Sequence, residues 1–247
     1  MYYIIFDLEF NQDFSSLQID NIKKTKFPFE IIQIGALKLD MELNTIDTFN
    51  RFIKPTIYKK ISPFITELTG ITTEQLQYEE TFTEVFDSYT EFISGTDSIF
   101  CTWGMSDIKQ LYKNVDDHQL KNNLLPTMCI NLQPYVSKHL KLSKKQLLRL
   151  KHAVEILNIP TIHPFHDALN DAYYTAELFK KIYNPSIQAK QYDPTHIAIR
   201  PRQRKREIDI EKLILQFEKM YDRKISEEEQ EIIKLAYKMG RTNQFLK

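Results

Sequence analysis

YYIIFDLEF, residues 2–10, is a run of aromatic and β-branched side chains interrupted by two acids. Such a run reads as a buried strand. Side chains alternate along a strand, so Asp7 and Glu9 point to the same face. Two carboxylates on one face of a mostly buried strand repel each other and lose hydration. A divalent cation relieves that cost, and an all-oxygen ligand pair suits a hard ion, magnesium or manganese. The competing reading is a strand end that simply emerges into solvent.

Further strands are expected at 31–39 (IIQIGALKL), 46–53, 97–103 (DSIFCTW) and 127–132, with Pro55 closing the third. Ser62-Pro63 opens a helix, and Thr81 caps another in which Val85, Phe86, Tyr89 and Phe92 recur at helical spacing. Ser106 caps a short helix reaching Leu111 and Tyr112. Residues 144–157 hold an amphipathic helix, and Asp167 caps a helix running to about Ile182. Strands first, then strand and helix in alternation, predict an α/β domain with a mixed sheet. That domain is expected over 1–183. A basic linker or arm follows over 184–206, then a small helical C-terminal extension over 207–247. In the extension Ile210, Leu213, Ile214 and Phe217 form one stripe, and Ser226 with Glu229 forms a capping box.

The 247 residues carry no net charge, so the total does not call for a polyanionic partner. The distribution is uneven, because residues 180–206 carry +7 and the remainder −7. Charge runs are commonly solvated linkers, but the arginine content here favours phosphate binding. Cys101 and Cys129 sit in apolar runs and read as buried free thiols. No signal-like segment or membrane-length apolar run is seen, and a reducing cytoplasm is the expected compartment.

Asp107 follows the DSIFCTW strand beside Gly104, where open α/β sheets place functional groups. It is equally a first-turn acid favoured by a helix dipole. HDALNDAYYTAEL places His166 on a loop and Asp171 about one turn inside the following helix. A structural loop histidine is the alternative there.

As a set, these residues resemble the DEDDh family of 3′→5′ exonucleases in the ribonuclease-H-like superfamily. The order matches: D-x-E on the first strand, an Asp after the fourth, and H-x4-D leading into a late helix. EIIQIGALKL (Glu30–Leu39) resembles the family's second strand. Residues 52–72, ending in L-T-G-I-T, resemble its third strand and following helix. The resemblance covers about residues 1–183, and its nearest flavour is the Eri-type RNA exonucleases. It implies a ribonuclease-H-like mixed five-stranded sheet flanked by helices. It also implies two Mg²⁺ or Mn²⁺ ions held by Asp7, Glu9, Asp107 and Asp171, with His166, rather than His163, as general base.

The same resemblance places the terminal nucleotide near Phe10 and Asn11, where relatives often carry a small residue or Thr, and near Leu68 and Ile71. Trp103 and Phe165 read either as base-stacking rings or as core. The expected activity is hydrolysis of single-stranded RNA or short oligonucleotides to nucleoside 5′-monophosphates. The alternatives are a DNA 3′→5′ exonuclease in repair or proofreading, and a catalytically idle nucleic-acid-binding protein. The C-terminal helices suggest a homodimer or a protein partner.

Overall fold

The computed structural model describes residues 1–12, 29–94, 97–143, 146–194 and 209–241. The chain forms two compact units, Met1–His196 and Ile197–Lys247. Most of the basic stretch, including Arg200 to Arg206, lies outside the described residues.

The first unit is built on a sheet. Strands β1 (Tyr2–Asn11), β2 (Glu30–Leu39), β3 (Thr45–Phe52), β4 (Ser98–Thr102), β5 (Met128–Asn131) and β6 (Lys190–Gln191) lie in the order β3-β2-β1-β4-β5-β6. β1 pairs antiparallel with β2 and parallel with β4, while β5 is parallel to β4 and antiparallel to β6. The sheet is mixed, as expected, but has six strands instead of five. β6 is two residues long, too short for a hydrophobic period to announce it. With it the first unit runs beyond Tyr183, and Ile187 is buried.

β1 is the central strand, and its two faces feed two cores. Ile4, Phe6 and Leu8 meet helices α3 (Phe82–Ile93) and α4 (Ser106–Asp117) through Val85, Phe86, Tyr89, Ile108 and Leu111. Tyr3 and Ile5 meet α7 (Ala168–Ile182) through Ala172, Ala176 and Phe179. Burial on both faces is the reason β1 reads as a continuous apolar run. Smaller helices complete the shell: α1 (Pro63–Thr69), α2 (Thr73–Leu76), α5 (Leu132–His139) and α6 (Leu150–Ile156). α5 carries Pro134 in its first turn and continues directly from β5, so the sequence shows a strand there and hides the helix. α6 starts at Leu150, later than the apolar spacing from 144 suggests, and Leu147 is exposed.

In the second unit, α8 (Ile210–Tyr221) and α9 (Glu227–Arg241) form a helical pair. Asp209 caps α8 by accepting from Lys212 N, and Asp222 ends it in the left-handed region. The Ser226–Glu229 capping box forms as expected: Ser226 N donates to Glu229 at 2.9 Å and Glu229 N donates to the Ser226 hydroxyl at 3.3 Å.

One contact fixes how α7 lies on the sheet. Gly35, in the middle of β2, is approached so closely by α7 that a Cβ would overlap the backbone of Ala168 and Leu169. Glycine inside a strand marks such an approach. Gly35→Ala should therefore force α7 outward and cost about 3 kcal/mol, the upper range for overpacking. Urea unfolding measures this, and a loss below about 0.5 kcal/mol would refute the close approach.

Candidate active site

β1, β4 and β5 are parallel, so their C-terminal ends share one edge of the sheet. Functional groups of open α/β sheets gather at that edge. Along β1 the odd-numbered positions turn toward α7, and after Tyr3 and Ile5 the next two are Asp7 and Glu9. Across β2 they face Gly35 and Gln33 respectively. Because Gly35 has no side chain, α7 comes down directly over the two acids.

Gln33 sets the angle of that helix. It is fully buried. Its Oε1 accepts from Ala168 N at 3.2 Å, and its Nε2 donates to Asp167 Oδ2 at 2.9 Å and to Asn50 Oδ1 at 3.0 Å. Asp167 Oδ1 accepts from Asn170 N at 3.0 Å, which is the predicted N-cap. The amide thus binds the first turn of α7 to β2 and β3. Asp171, one turn in, is carried to Glu9. Gln33 was not foreseen as part of the site, although a glutamine inside IIQIGALKL is a polar residue in an apolar run, and such residues are buried only with partners.

His166 precedes the cap in the left-handed region, φ 66°. A non-glycine residue holds that conformation only where its surroundings impose it. Its backbone N–H donates to Asp171 Oδ2 at 3.3 Å, which ties the loop to the helix. Ligand atoms of Glu9, His166 and Asp171 lie within 4.8 Å of one another. His163 is held elsewhere: its backbone N–H and C=O both bind the Tyr174 hydroxyl at 2.7 Å, and its ring packs on Tyr173.

Asp107 comes from the other layer. After β4, Thr102 donates its hydroxyl to Gly104 O at 2.6 Å, and Gly104 turns with φ 99°. That turn starts α4, with Met105 at the cap position rather than Ser106, and Asp107 in the first turn, 7% exposed.

The four acids sense one another. Burial, then the charges of Asp107, Asp171 and Glu9, push Asp7 well above the carboxylate range. Burial, then Asp171, Asp167 and Asp107, push Glu9 up to about 8. Burial is the largest cause for Asp107, raised to about 7, and for Asp171, raised to about 6. No lysine or arginine is among the causes of these shifts. Asp171 Oδ1 is buried with no hydrogen-bond partner among the described residues. Uncompensated carboxylates around an orphaned oxygen fit a hard divalent cation in both charge and ligand type.

The expected nucleotide contacts divide. Asn11 is 1% exposed, and its amide is consumed by the loop leading to α1: Nδ2 donates to Lys60 O and Oδ1 accepts from Ser62 N, both at 3.0 Å. Glu30 holds the preceding stretch by accepting from the backbone N–H groups of Thr56, Ile57 and Tyr58. Asn11 therefore positions that loop. Ile71 is buried with Ile32, Ile61, Ile65 and Leu76, whereas Leu68 is open to solvent. Phe10 is partly buried, edge-on to Phe29 at 5.9 Å. Phe165 stacks on Tyr174 at 4.6 Å. Trp103 packs against the α7-side core with Nε1 buried and unpartnered among the described residues.

Comparison with known proteins agrees with this geometry. Residues 4–179 match the RNase_T family, described as Exonuclease. A DNA polymerase III PolC-type from Caldanaerobacter subterraneus subsp. tengcongensis is 29% identical over 215 residues, 85% of this chain but 13% of the polymerase. Human ERI1 exoribonuclease 3 is 28% identical over 116 residues, 44% of this chain and 32% of that protein. The chain thus spans a minor part of both relatives. The crystal structure of the nuclease domain of 3′hExo, a DEDDh family member bound to rAMP, superposes with a TM-score of 0.64 at 23% identity, covering 78% of this chain and 96% of that one. With its acids on β1, α4 and α7 and its histidine before α7, the chain belongs to the RNase_T exonuclease family.

Proposed function

We propose that the protein removes nucleotides from the 3′ end of single-stranded RNA or short oligonucleotides, releasing nucleoside 5′-monophosphates. The observation that carries this reading is the convergence of ligand atoms of Glu9, His166 and Asp171 within 4.8 Å of one another. Asp7, Glu9, Asp107 and Asp171 would hold Mg²⁺ or Mn²⁺. Two such ions, when bound, neutralise the phosphodiester and lower the pKa of a bound water. The chain's own residues supply the rest. His166 is exposed, so its imidazole can take the proton of the attacking water. The backbone bond from His166 to Asp171 keeps that imidazole beside the acids while the phosphorus–O3′ bond breaks. The two β1 acids are immobile, because their strand is buried on both faces.

DNA is the second reading for the substrate, supported by the PolC-type relative's 85% coverage of this chain. Incubation of 5′-labelled single-stranded RNA and DNA with Mn²⁺, Mg²⁺ or EDTA separates the two. A 3′-shortening ladder on RNA, lost with EDTA and in Asp7→Ala, is the expected result. Faster cleavage of DNA would favour the second reading, and binding without cleavage of either would favour an idle nucleic-acid-binding protein.

His166→Ala should lower kcat by about 10²–10⁴, the usual worth of general acid–base catalysis. Mn²⁺ binding, followed by calorimetry, should persist. Undiminished turnover would remove His166 from the base role.

The acid cluster also sets the pH dependence of stability. Folded-state pKa values near 8, 7 and 6 for Glu9, Asp107 and Asp171 exceed the ordinary carboxylate values of about 4. A raised carboxyl binds its proton more tightly when folded. Its contribution is therefore full below about pH 4 and is lost as pH rises toward 8. Metal-free protein should lose stability from this cluster between pH 5 and 8. A divalent ion at a hundred times its Kd adds about 2.7 kcal/mol, or about 5–10 °C of Tm. Thermal melts with Mn²⁺ or EDTA should show that gain at pH 8 and a much smaller one at pH 5. Asp7→Asn should melt higher than wild type at pH 8 in EDTA and gain little from Mn²⁺. An equal Mn²⁺ gain at both pH values would contradict the cluster as the metal site.

A further inference from the structure

A concavity opens between α5 and the stretch that leads into β6. It encloses about 760 Å³ and includes Met105, Asn131, Tyr135, Lys138, Lys141 and Lys190 in its lining. Met105, in its wall, is the N-cap of α4, the helix whose first turn carries Asp107. That volume lies within the range of sites for small organic ligands.

Three features define what it would take. No acid lines it, and none of its three lysines is ion-paired among the described residues, although the chain as a whole is neutral. All three lysines are exposed at the rim. The Tyr135 ring is fixed in the wall, because its hydroxyl donates to Gln188 O at 3.1 Å and accepts from Gln188 N at 3.3 Å. Asn131 Oδ1 caps α5 by accepting from Gln133 N at 3.2 Å, and its Nδ2 has no hydrogen-bond partner among the described residues. Cations at the rim, a pre-set aromatic ring and a free amide donor suit an anion that carries a flat ring.

We infer that this cleft holds nucleotides of the single strand upstream of the one being removed, with phosphates on Lys138, Lys141 and Lys190 and a base against Tyr135. The inference rests on the exonuclease reading for its substrate, and on the cleft's own chemistry for its place. A fixed aromatic wall stacks bases regardless of sequence, and lysines add an affinity that weakens with salt. The cleft therefore confers preference for length, not for sequence.

The test uses the full chain and the triple variant Lys138→Ala, Lys141→Ala, Lys190→Ala, whose changes are exposed and leave the core intact. Oligoadenylates of two and eight nucleotides are the probes. Turnover is measured with Mn²⁺, and octamer binding is measured by fluorescence anisotropy in EDTA over a salt series. The variant should bind the octamer at least tenfold more weakly, with a log Kd against log salt slope shallower by about 2, from ~0.7 per phosphate. Turnover of the dinucleotide should stay within twofold of wild type. Equal effects on both lengths, or no effect on the octamer, would overturn the inference. So would lysine-dependent binding of free AMP without length dependence, which would mark an effector site. Absence of all cleavage alongside lysine-dependent octamer binding would defeat the exonuclease reading and leave the cleft assignment standing.

Discussion

The approach of α7 to β2 at Gly35 is the contact on which the site depends. β1 alone presents Asp7 and Glu9, but two acids on a strand make only part of the cluster. The remaining pieces, Asp171 and His166, sit at the start of a helix more than 150 residues later in the chain. Gly35 removes the one Cβ that would keep this helix away, and Gln33 fixes its rotation by binding Ala168 N and Asp167. Register enforces this pairing. Glu9 lies opposite Gln33 and Asp7 opposite Gly35, so the residues that admit the helix are the cross-strand neighbours of the acids it comes to meet. A slip of one residue would turn both pairs to the opposite face.

Apolar periodicity carried most of this fold into view. β1 to β4, α3 and α7 stand where the runs and caps place them, because each buries enough surface for its period to show. β6 and α5 escaped for opposite reasons. A two-residue strand has no period, and a helix continuing straight out of a strand shares its apolar residues with it. At the site, the alternation of β1 makes Asp7 and Glu9 legible directly. Asp107, His166 and Asp171 are individually ordinary, a first-turn acid, a loop histidine and a helix acid, and become meaningful only in the tertiary contact. Asn11 has a structural duty that its place in the sequence does not announce. It follows Glu9 by two residues and shares its face, yet a bulge lies between Glu9 and Phe10, and the Asn11 side chain turns to the 60–62 backbone. The Gln33 amide and the lysine-rimmed cleft draw on residues scattered along the chain, so no local pattern reveals them.

The cluster is arranged against the stability of the protein that contains it. Burial and mutual repulsion raise all four carboxyls. Near neutral pH the fold either retains protons there or accepts the repulsion. Such a site persists because the strand beneath it is buried on both faces and cannot move aside. The strain is therefore held by the most rigid element available, which is where a geometry needed for chemistry is best kept.

Asp171 links the rigid and adaptable parts of this arrangement. One of its oxygens is buried without a hydrogen-bond partner among the described residues, and the other accepts the backbone N–H of His166, which stands in the left-handed region. The same carboxylate thus belongs to the acid cluster and holds the loop that carries His166. Asp107 lacks that second duty. It reaches the cluster from α4, in the opposite layer, and its loss would alter the charge at the site while leaving the His166 loop tethered.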